Sequence, residues 1–356
     1  MLVSMDRHLG QVNLQSDRER RVQMTNSKTV VVTGASAGLG RAIAHVFAKE
    51  GAKVGLISRD QEDLDVTAAE VERLGGTAAV YAADVSDDSA VEAAASSVEQ
   101  RLGPIDIWVN NAMVSVFSPI KEMEANEFRR VTEVNYLGYV HGTLAALRRM
   151  LPRDEGRIIQ IGSALAVRSI PLQSAYCATK HAIVGFTDSL RCELYHDRSN
   201  VKVTVVHMPA MNTSQFTWVK SRLPRLPQPV PPIYEPEVGA RVVLYAGMTP
   251  SLRREYWVGG STVKAILGQK IVPGLLDRYL GKTGYKSQQR EMADSTTRPH
   301  NLWHPVPTSL GGHGPFKKEA RTFSLEANAT THPGWFLFGC GLIGAALCAK
   351  KLLSAK

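Results

Sequence analysis

The stretch KTVVVTGASAGLGRAIAHVFAKE, residues 28–50, decides the fold. It begins with a short β-branched apolar run at residues 28–32, which predicts a buried strand. The run stops at a glycine-rich turn and continues into a helical pattern at residues 41–50. Glycines permit a tight turn and let backbone N–H groups approach a phosphate at the helix N-terminus. Strand, glycine turn and helix in this order predict a dinucleotide-binding unit rather than a purely structural turn.

The same alternation of strand and helix continues downstream. Strands are predicted at residues 53–57, 78–82, 106–109, 158–161, 201–206 and 255–258, and helices at residues 61–74, 87–102, 125–150, from 174 onward and 235–248. Repeated strand-helix units imply a parallel sheet with helices on both faces. The predicted fold class is therefore α/β, a Rossmann-type doubly wound parallel sheet in a single domain with a C-terminal extension.

A second informative stretch is RIIQIGSALAVRSIPLQSAYCATKHAIVGFTDSLRCELYH, residues 157–196. Ser163 lies at a predicted strand end, and Tyr176 and Lys180 are spaced i, i+4 on one face of a helix. Lowering the pKa of a tyrosine by about three units needs roughly 4 kcal/mol. A lysine charge about 5 Å away contributes roughly 3 kcal/mol at an effective dielectric constant of about 20. The pair predicts an acid/base tyrosine, although this spacing alone would favour a solvated helix face.

The two stretches share their features with one family. The residues concerned are Asn135, Ser163, Tyr176 and Lys180, with Gly34, Gly38 and Gly40 of the glycine turn. In this order and spacing they resemble the short-chain dehydrogenase/reductase family over about residues 28–258. The resemblance implies an enzyme that transfers a hydride between a nicotinamide dinucleotide and a carbonyl or alcohol group.

The resemblance also assigns catalytic roles. Tyr176 is expected to be the acid/base and Ser163 a hydrogen-bond donor to the reacting oxygen. Lys180 is expected to lower the pKa of Tyr176 and to bind the nicotinamide ribose. Asn135 is expected to hold a water that links Lys180 to solvent.

Cofactor-binding residues follow in the same way. The set is Gly34, Ser36, Gly38, Leu39, Gly40, Ser58, Arg59, Asp84, Asn111, Ala112, Tyr176, Lys180, Pro209 and Thr213. Ser58 and Arg59 stand where NAD-preferring folds carry an acidic residue. Because a guanidinium binds a 2′-phosphate with charge-assisted hydrogen bonds, NADP is predicted over NAD. An ordinary surface arginine is the alternative. Met113 and Ala210 depart from glycines that the family usually carries near the cofactor.

The rest of the chain divides by composition. Residues 1–27 are predicted to be a polar, disordered arm, residues 28–281 the catalytic domain and residues 282–333 a linker or loosely packed extension. Residues 214–236 are proline-rich, which favours a pre-ordered substrate lid; a polyproline docking site is the alternative. Residues 334–353 open with sixteen uncharged positions and are interpreted as a transmembrane anchor if Lys350 and Lys351 snorkel. A docked C-terminal helix is the alternative.

Composition limits the partners. The net charge is +9, but the basic residues are spread along the chain, which argues against a nucleic-acid groove. The four cysteines form no C-x-x-C pair, so no metal site is predicted. A small carbonyl or alcohol substrate, of lipophilic character, is expected. By resemblance, the helices carrying Asn135 and Tyr176 would form a homodimer or tetramer face. The catalytic domain is expected to face the cytosol if the anchor is real, and to be cytoplasmic otherwise.

Two other functions stay open at this point. The first is a sugar-nucleotide epimerase or dehydratase on the same fold, which shares the tyrosine and the lysine. The second is a membrane-anchored, non-catalytic dinucleotide-binding scaffold, which would need only the glycine turn.

Overall fold

The computed structural model describes residues 28–295, 297–306 and 311–332. Its strands are β1 Thr29–Thr33, β2 Lys53–Ser58, β3 Thr77–Ala82, β4 Ile105–Asn110, β5 Val116–Phe117, β6 Arg157–Ser163, β7 Lys202–Met208, β8 Lys220–Ser221, β9 Arg225–Pro227, β10 Ile233–Tyr234, β11 Glu255–Trp257, β12 Gln289–Ala293 and β13 Ala320–Arg321. Its helices are α1 Gly38–Lys49, α2 Gln61–Arg73, α3 Asp88–Leu102, α4 Ala125–Thr132, α5 Gly138–Met150, α6 Ser174–His196, α7 Gln215–Trp218, α8 Pro236–Met248, α9 Gly260–Ile271, α10 Pro273–Ser287 and α11 Leu325–Thr331.

A seven-stranded sheet forms the centre, in the order β3-β2-β1-β4-β6-β7-β11. Every neighbouring pair in it is parallel. The winding of the chain reverses between β1 and β4, and ligands of such sheets bind at the carboxyl ends of the strands near this switch point. The predicted Rossmann-type α/β fold is confirmed.

The sheet is covered on both faces because its strands carry apolar residues on both. Val30 and Val32 of β1 belong to one core cluster, together with residues of α1 and α8. Val31 points the other way, into a second cluster with residues of α3, α5 and α6. A strand buried on both faces needs a continuous apolar run rather than an alternating one, which is what residues 30–32 supply.

The proline-rich segment and the C-terminal extension fold together. β9 pairs antiparallel with β12, and β10 pairs parallel with β13. Leu302 and Phe316 of the extension are buried. The described part of the extension therefore contacts the domain through two strand pairs and two buried side chains, and its division from the domain as a linker or loosely packed extension stays a prediction. Its apolar residues are too sparse to give a periodic pattern, but Leu302 and Phe316 each join a core cluster of residues distant in sequence.

Residues 1–27 and the predicted anchor at 334–353 lie outside the described residues. Among the helices of residues 28–295, 297–306 and 311–332, none is long and apolar enough to cross a membrane.

Candidate active site

A cavity of about 470 Å³ opens at the carboxyl ends of the central strands. Most of the predicted site residues line it, namely Gly34, Ser36, Gly38, Leu39, Ser58, Arg59, Asp84, Asn111, Ala112, Ser163, Tyr176, Lys180, Pro209 and Thr213. Asn135 and Gly40 do not line the cavity and are buried behind it.

The glycine turn is too crowded for larger residues. A Cβ on Gly34 would lie 2.8 Å from the Ala112 Cα, and one on Gly40 would lie 2.0 Å from the Gly34 carbonyl oxygen. Gly34 and Gly38 also have φ of 66° and 52°, which favours glycine. The α1 helix that follows has no side-chain cap at Ala37 and no acidic residue in its first turn. This cradle fits the pyrophosphate of a dinucleotide, because N–H groups without a side-chain cap and the helix dipole favour an anion there.

Asn111 fastens the glycine turn to β4. Its Nδ2 donates to the carbonyl oxygens of Thr33 at 2.9 Å and Gly34 at 3.3 Å. Its backbone N–H donates to the Thr33 hydroxyl at 2.9 Å. Asn111 therefore fixes the turn through its side chain as well as lining the cavity.

Ser163 and Tyr176 meet in the cavity. The Ser163 hydroxyl oxygen accepts the N–H of Leu165 at 3.1 Å, which leaves the hydroxyl hydrogen free for another partner. Burial raises the pKa of the Tyr176 phenol above its ordinary value, although hydrogen bonding to Ser163 opposes the rise. The phenol is therefore protonated at neutral pH and can act as a proton donor.

Lys180 is buried behind Tyr176, and its Nζ contacts neutral groups. Nζ donates to the Ile161 carbonyl at 2.7 Å and to the Tyr139 hydroxyl at 3.0 Å, and it lies 5.6 Å from the centre of the Tyr176 ring. Because none of these partners is a carboxylate, burial lowers the pKa of Lys180 to about 7. Burial dominates the pKa of the Tyr176 phenol in this arrangement, and the expected lowering of that pKa by Lys180 stays a prediction.

Tyr139 was missed by the sequence reasoning. It is fully buried, and its hydroxyl both accepts from Lys180 and donates to the Ile161 carbonyl at 3.1 Å. Its position four residues after Asn135 is the signal that could have revealed it.

Asn135 lies in a π-helical turn, Glu133–Leu137, which interrupts the single helix predicted at residues 125–150. Such turns occur frequently at functional sites. The Asn135 amide accepts from the Val114 N–H at 2.8 Å and donates to the Val114 carbonyl at 2.9 Å. Its side chain therefore fixes the loop after β4, and its role in holding a water stays a prediction.

His207 is a second residue that the sequence reasoning missed. It is fully buried at the end of β7, and its Nδ1 lies 3.0 Å from the Ser163 carbonyl oxygen. Its Nε2 lies 3.5 Å from a carboxylate oxygen of Glu255. The imidazole thus holds the backbone of Ser163 in place.

The extension covers the end of the cavity that the glycine turn and Arg59 form. Arg59 donates to the carbonyl oxygens of Asn301 at 2.6 Å and Trp303 at 3.1 Å, so two of its five N–H donors are already engaged. The Gly38 N–H donates to the Gly311 carbonyl at 3.3 Å. Asn301 also lines the cavity, as do Pro305 and Val306. The sequence gives no signal for these contacts, because they join residues far apart in the chain.

Asp84 is connected to the extension through Arg130. Arg130 forms an ion pair with Asp84 and donates to the Leu302 carbonyl at 3.1 Å. Burial alone would raise the pKa of Asp84, but hydrogen bonds from Arg130 and Ser86 hold it below its ordinary value. Asp84 therefore stays ionised, and Arg130 links it to Leu302 of the extension.

One cluster in the described residues could hold a metal ion. The ligand atoms of Glu235, Glu237 and His313 lie within 4.8 Å of one another. Both Glu235 oxygens accept from Asn212, and His313 Nε2 lies 2.8 Å from a Glu237 oxygen. These groups satisfy one another, so the cluster is interpreted as a polar clasp between the extension and α8.

The other end of the cavity is apolar. Its walls come from the loop after β6, the proline-rich segment and α10. They include Leu165, Ile170, Phe216, Trp218, Val230, Leu276 and Leu280. Phe216 is held by edge-to-face contacts with Phe117 and Phe316, at centroid distances of 6.1 and 5.7 Å. Residues 214–236 therefore form one wall of the cavity, as a substrate lid would.

Comparison with known proteins bears on this geometry. A family model described as short chain dehydrogenase matches residues 28–222, which include the glycine turn and all four predicted catalytic residues. The chain belongs to the short chain dehydrogenase family. As a member of this family it is a dehydrogenase/reductase that uses a nicotinamide dinucleotide.

Similar proteins support the assignment. The uncharacterized oxidoreductase YxnA of Bacillus subtilis is 30% identical over 333 residues, 93% of each chain. An alcohol dehydrogenase from Thermococcus sibiricus, solved with 5-hydroxy-NADP, is 26% identical with a TM-score of 0.58, covering 65% of this chain and 95% of that one. A short chain dehydrogenase/reductase from Burkholderia phymatum, solved with NAD, is 30% identical with a TM-score of 0.51, covering 52% and 67%. One neighbour was thus solved with NAD and another with a hydroxylated NADP.

Proposed function

We propose that this chain is an NADP-dependent reductase or dehydrogenase acting on a carbonyl or alcohol group of a lipophilic molecule. The observation that carries the proposal is the meeting of Ser163 and Tyr176 inside a cavity with a phosphate-binding glycine turn at one end and apolar walls at the other. A polar reactive centre between these two ends suits a ligand with a small polar group on an apolar body.

The chain's own residues supply the acid/base chemistry, and a bound nicotinamide dinucleotide supplies or accepts the hydride. In reduction, the Tyr176 phenol gives its proton to the carbonyl oxygen as that oxygen becomes an alcohol. The Ser163 hydroxyl donates a hydrogen bond to the same oxygen, where negative charge develops. Lys180 lies behind the phenol, and Tyr139 and the Ile161 carbonyl fix its position.

Replacing Tyr176 with phenylalanine tests the proposal. Tyr176→Phe should abolish turnover of carbonyl and alcohol substrates, followed by nicotinamide absorbance, while nucleotide binding is retained. Tyr136→Phe is the matched control, because it removes a phenol hydroxyl outside the cavity and keeps the ring contact with Phe186. Substantial residual activity in Tyr176→Phe would contradict the assigned role. Binding of nucleotide without any turnover in the unsubstituted protein would instead favour the scaffold.

The NADP preference rests on Arg59. Asp60 and Asp63 also line the cavity near it, and carboxylates there would favour the ribose hydroxyls of NAD. We nevertheless expect NADP to bind more tightly, since Arg59 keeps donors beyond the two given to the extension. Arg59→Ala should then erase much of the preference, because a charge-assisted contact is worth about 1.5 to 3 kcal/mol. Arg73→Ala, which changes an exposed arginine, is the control. Equal dissociation constants for the two nucleotides in the unsubstituted protein would contradict the preference.

A homodimer is a further part of the proposal. Phe128 of α4, Leu137 of the π-helical turn and Leu144 of α5 are exposed on the helices that the resemblance assigns to a subunit face. Light scattering of the full-length protein measures the mass directly. A monomer at working concentration would contradict this assignment.

A further inference from the structure

The helices α9 and α10 form a hairpin whose end carries unusual apolar exposure. Ile271 is 74% exposed, and Leu275 and Tyr279 are each 61% exposed, with Val272 beside them. We call Ile271, Val272, Leu275 and Tyr279 the apolar tip. Residues 270–275 are all exposed, so the end of the hairpin projects from the domain.

The two helices that carry the apolar tip pack closely together and are fixed to the domain. A Cβ on Gly268 would lie 3.2 Å from a Leu276 methyl group, so α9 and α10 pack closely at this point. Arg168 forms an ion pair of 2.6 Å with Asp277 and fixes α10 to the domain. The exposure of the apolar tip is therefore a property of a folded element.

The tip is continuous with the proposed substrate end of the cavity. Leu276 and Leu280 line the cavity, whereas Leu275 lies one position earlier on the outer face of α10. Tyr279 both lines the cavity and is largely exposed, so it stands at the mouth. An apolar molecule at the tip would have an apolar route inward.

The charges carried by the two helices of the hairpin are almost all positive. Residues 260–287 contain five cations, all exposed, which are Lys264, Lys270, Arg278, Lys282 and Lys286. Asp277 is the one carboxylate in this range, and Arg168 pairs with it. Exposed apolar residues at the end of a hairpin rich in cations match an anionic phospholipid surface, in which the apolar groups enter the acyl boundary and the cations meet the headgroups. A second copy of this chain is a poorer match, because a symmetric contact would bring the two sets of cations together.

We propose that the apolar tip docks on an anionic phospholipid surface and places the cavity mouth against the membrane. The tip inserts at the interface and does not span the bilayer. Docking at the membrane does not depend on the proposed function. The proposed function decides only which molecule enters the cavity. Docking of the tip is also distinct from the anchor predicted at residues 334–353.

Vesicle binding by the full-length protein tests the docking without any turnover. The probe is a vesicle of phosphatidylcholine mixed equally with phosphatidylserine, compared with phosphatidylcholine alone. Ile271→Asp should weaken binding to the mixed vesicles roughly tenfold or more, because the loss of one buried isoleucine side chain corresponds to at least that factor. Ile120→Asp is the matched control, since Ile120 is also 74% exposed but lies far along the chain from the hairpin. Both variants keep residues 334–353, so any contribution of that segment is the same in each.

The results separate the alternatives. Preference for the mixed vesicles, weakened by high salt and by Ile271→Asp but not by Ile120→Asp, would support the docking. Equal binding of the two variants, or no vesicle binding by the unsubstituted protein, would overturn it. A drop in molecular mass in Ile271→Asp without vesicle binding would overturn it in favour of a contact between copies. Nucleotide binding by both variants, followed by fluorescence, shows that they are folded.

Discussion

Replacing Lys180 with methionine should make the stability of the folded chain less dependent on pH between about pH 7 and pH 10. Lys180 is buried, and its Nζ contacts the Tyr139 hydroxyl and the Ile161 carbonyl rather than a carboxylate. Burial lowers its pKa in the folded chain to about 7, against 10.5 for an ordinary lysine. Methionine has similar length and no charge, so it removes the titrating group with little change in volume.

The sign and the size follow from proton linkage. Between the two pKa values the unfolded chain holds a proton on Lys180 that the folded chain does not. The free energy of unfolding should therefore rise with pH in this window, by up to about 1.4 kcal/mol per pH unit. Over the whole window the rise approaches about 5 kcal/mol as an upper limit. Below about pH 7 both states hold the proton, and the burial cost is then present in full.

The assay is urea unfolding, followed by far-ultraviolet circular dichroism in steps from pH 7 to pH 10. The informative quantity is the difference between the unsubstituted protein and Lys180→Met, because other titrating groups, such as the buried thiol of Cys177, contribute equally to both. Carbon NMR of the lysine Cε gives the pKa directly when the two spectra are compared. A difference that stays constant across the window would refute the reasoning, since it would mean that Lys180 keeps its proton when folded.

Three further predictions concern other parts of the chain. Burial alone would raise the pKa of Glu127, but hydrogen bonds from Lys220 and Arg222 hold this pKa at about 2. The contribution of Glu127 to stability should therefore be lost as pH falls from 4.5 toward 2. Glu127→Gln should flatten the melting temperature in that window, and parallel pH profiles would contradict this. Gly40→Ala should cost about 3 kcal/mol or more in urea unfolding, because its Cβ would meet the Gly34 carbonyl. Gly185→Ala, in open space on α6, should instead add about 0.5 to 1 kcal/mol. If residues 334–353 are an anchor, truncation before them should release the enzyme from alkaline-washed membranes; a full-length chain already found in the supernatant would exclude the anchor.

Patterns within short stretches of sequence were sufficient to predict the central sheet and most of the residues that line the cavity. Val30, Val31 and Val32 form a run that only a doubly covered strand explains, and the glycines after it have no room for a side chain. The lining positions of Ser163 and Tyr176 follow from a strand end and a helix face. Each of these features depends on neighbours within one or two turns of the chain, which is why the sequence predicts them.

Features that depend on distant residues were not predictable. The pKa of Lys180 depends on burial by Tyr139 and β6, which no spacing rule reports. Arg59 was expected to be available for a phosphate, but carbonyl groups of the extension take two of its donors. The π-helical turn around Asn135 lies inside a helical pattern that is otherwise continuous from residue 125 to residue 150. In all three cases the deciding partner is chosen by tertiary packing.

The contact between Arg59 and the extension has a consequence for synthesis of the chain. Its partners, Asn301 and Trp303, follow Arg59 by 242 and 244 residues. At ordinary rates of translation, roughly 10 to 50 seconds separate the making of the two sides of this contact. During that time the nascent chain holds the glycine turn and Arg59 without the residues that later cover them. A ribosome-bound chain should therefore expose the glycine turn and Arg59 to chaperones and proteases until the extension emerges.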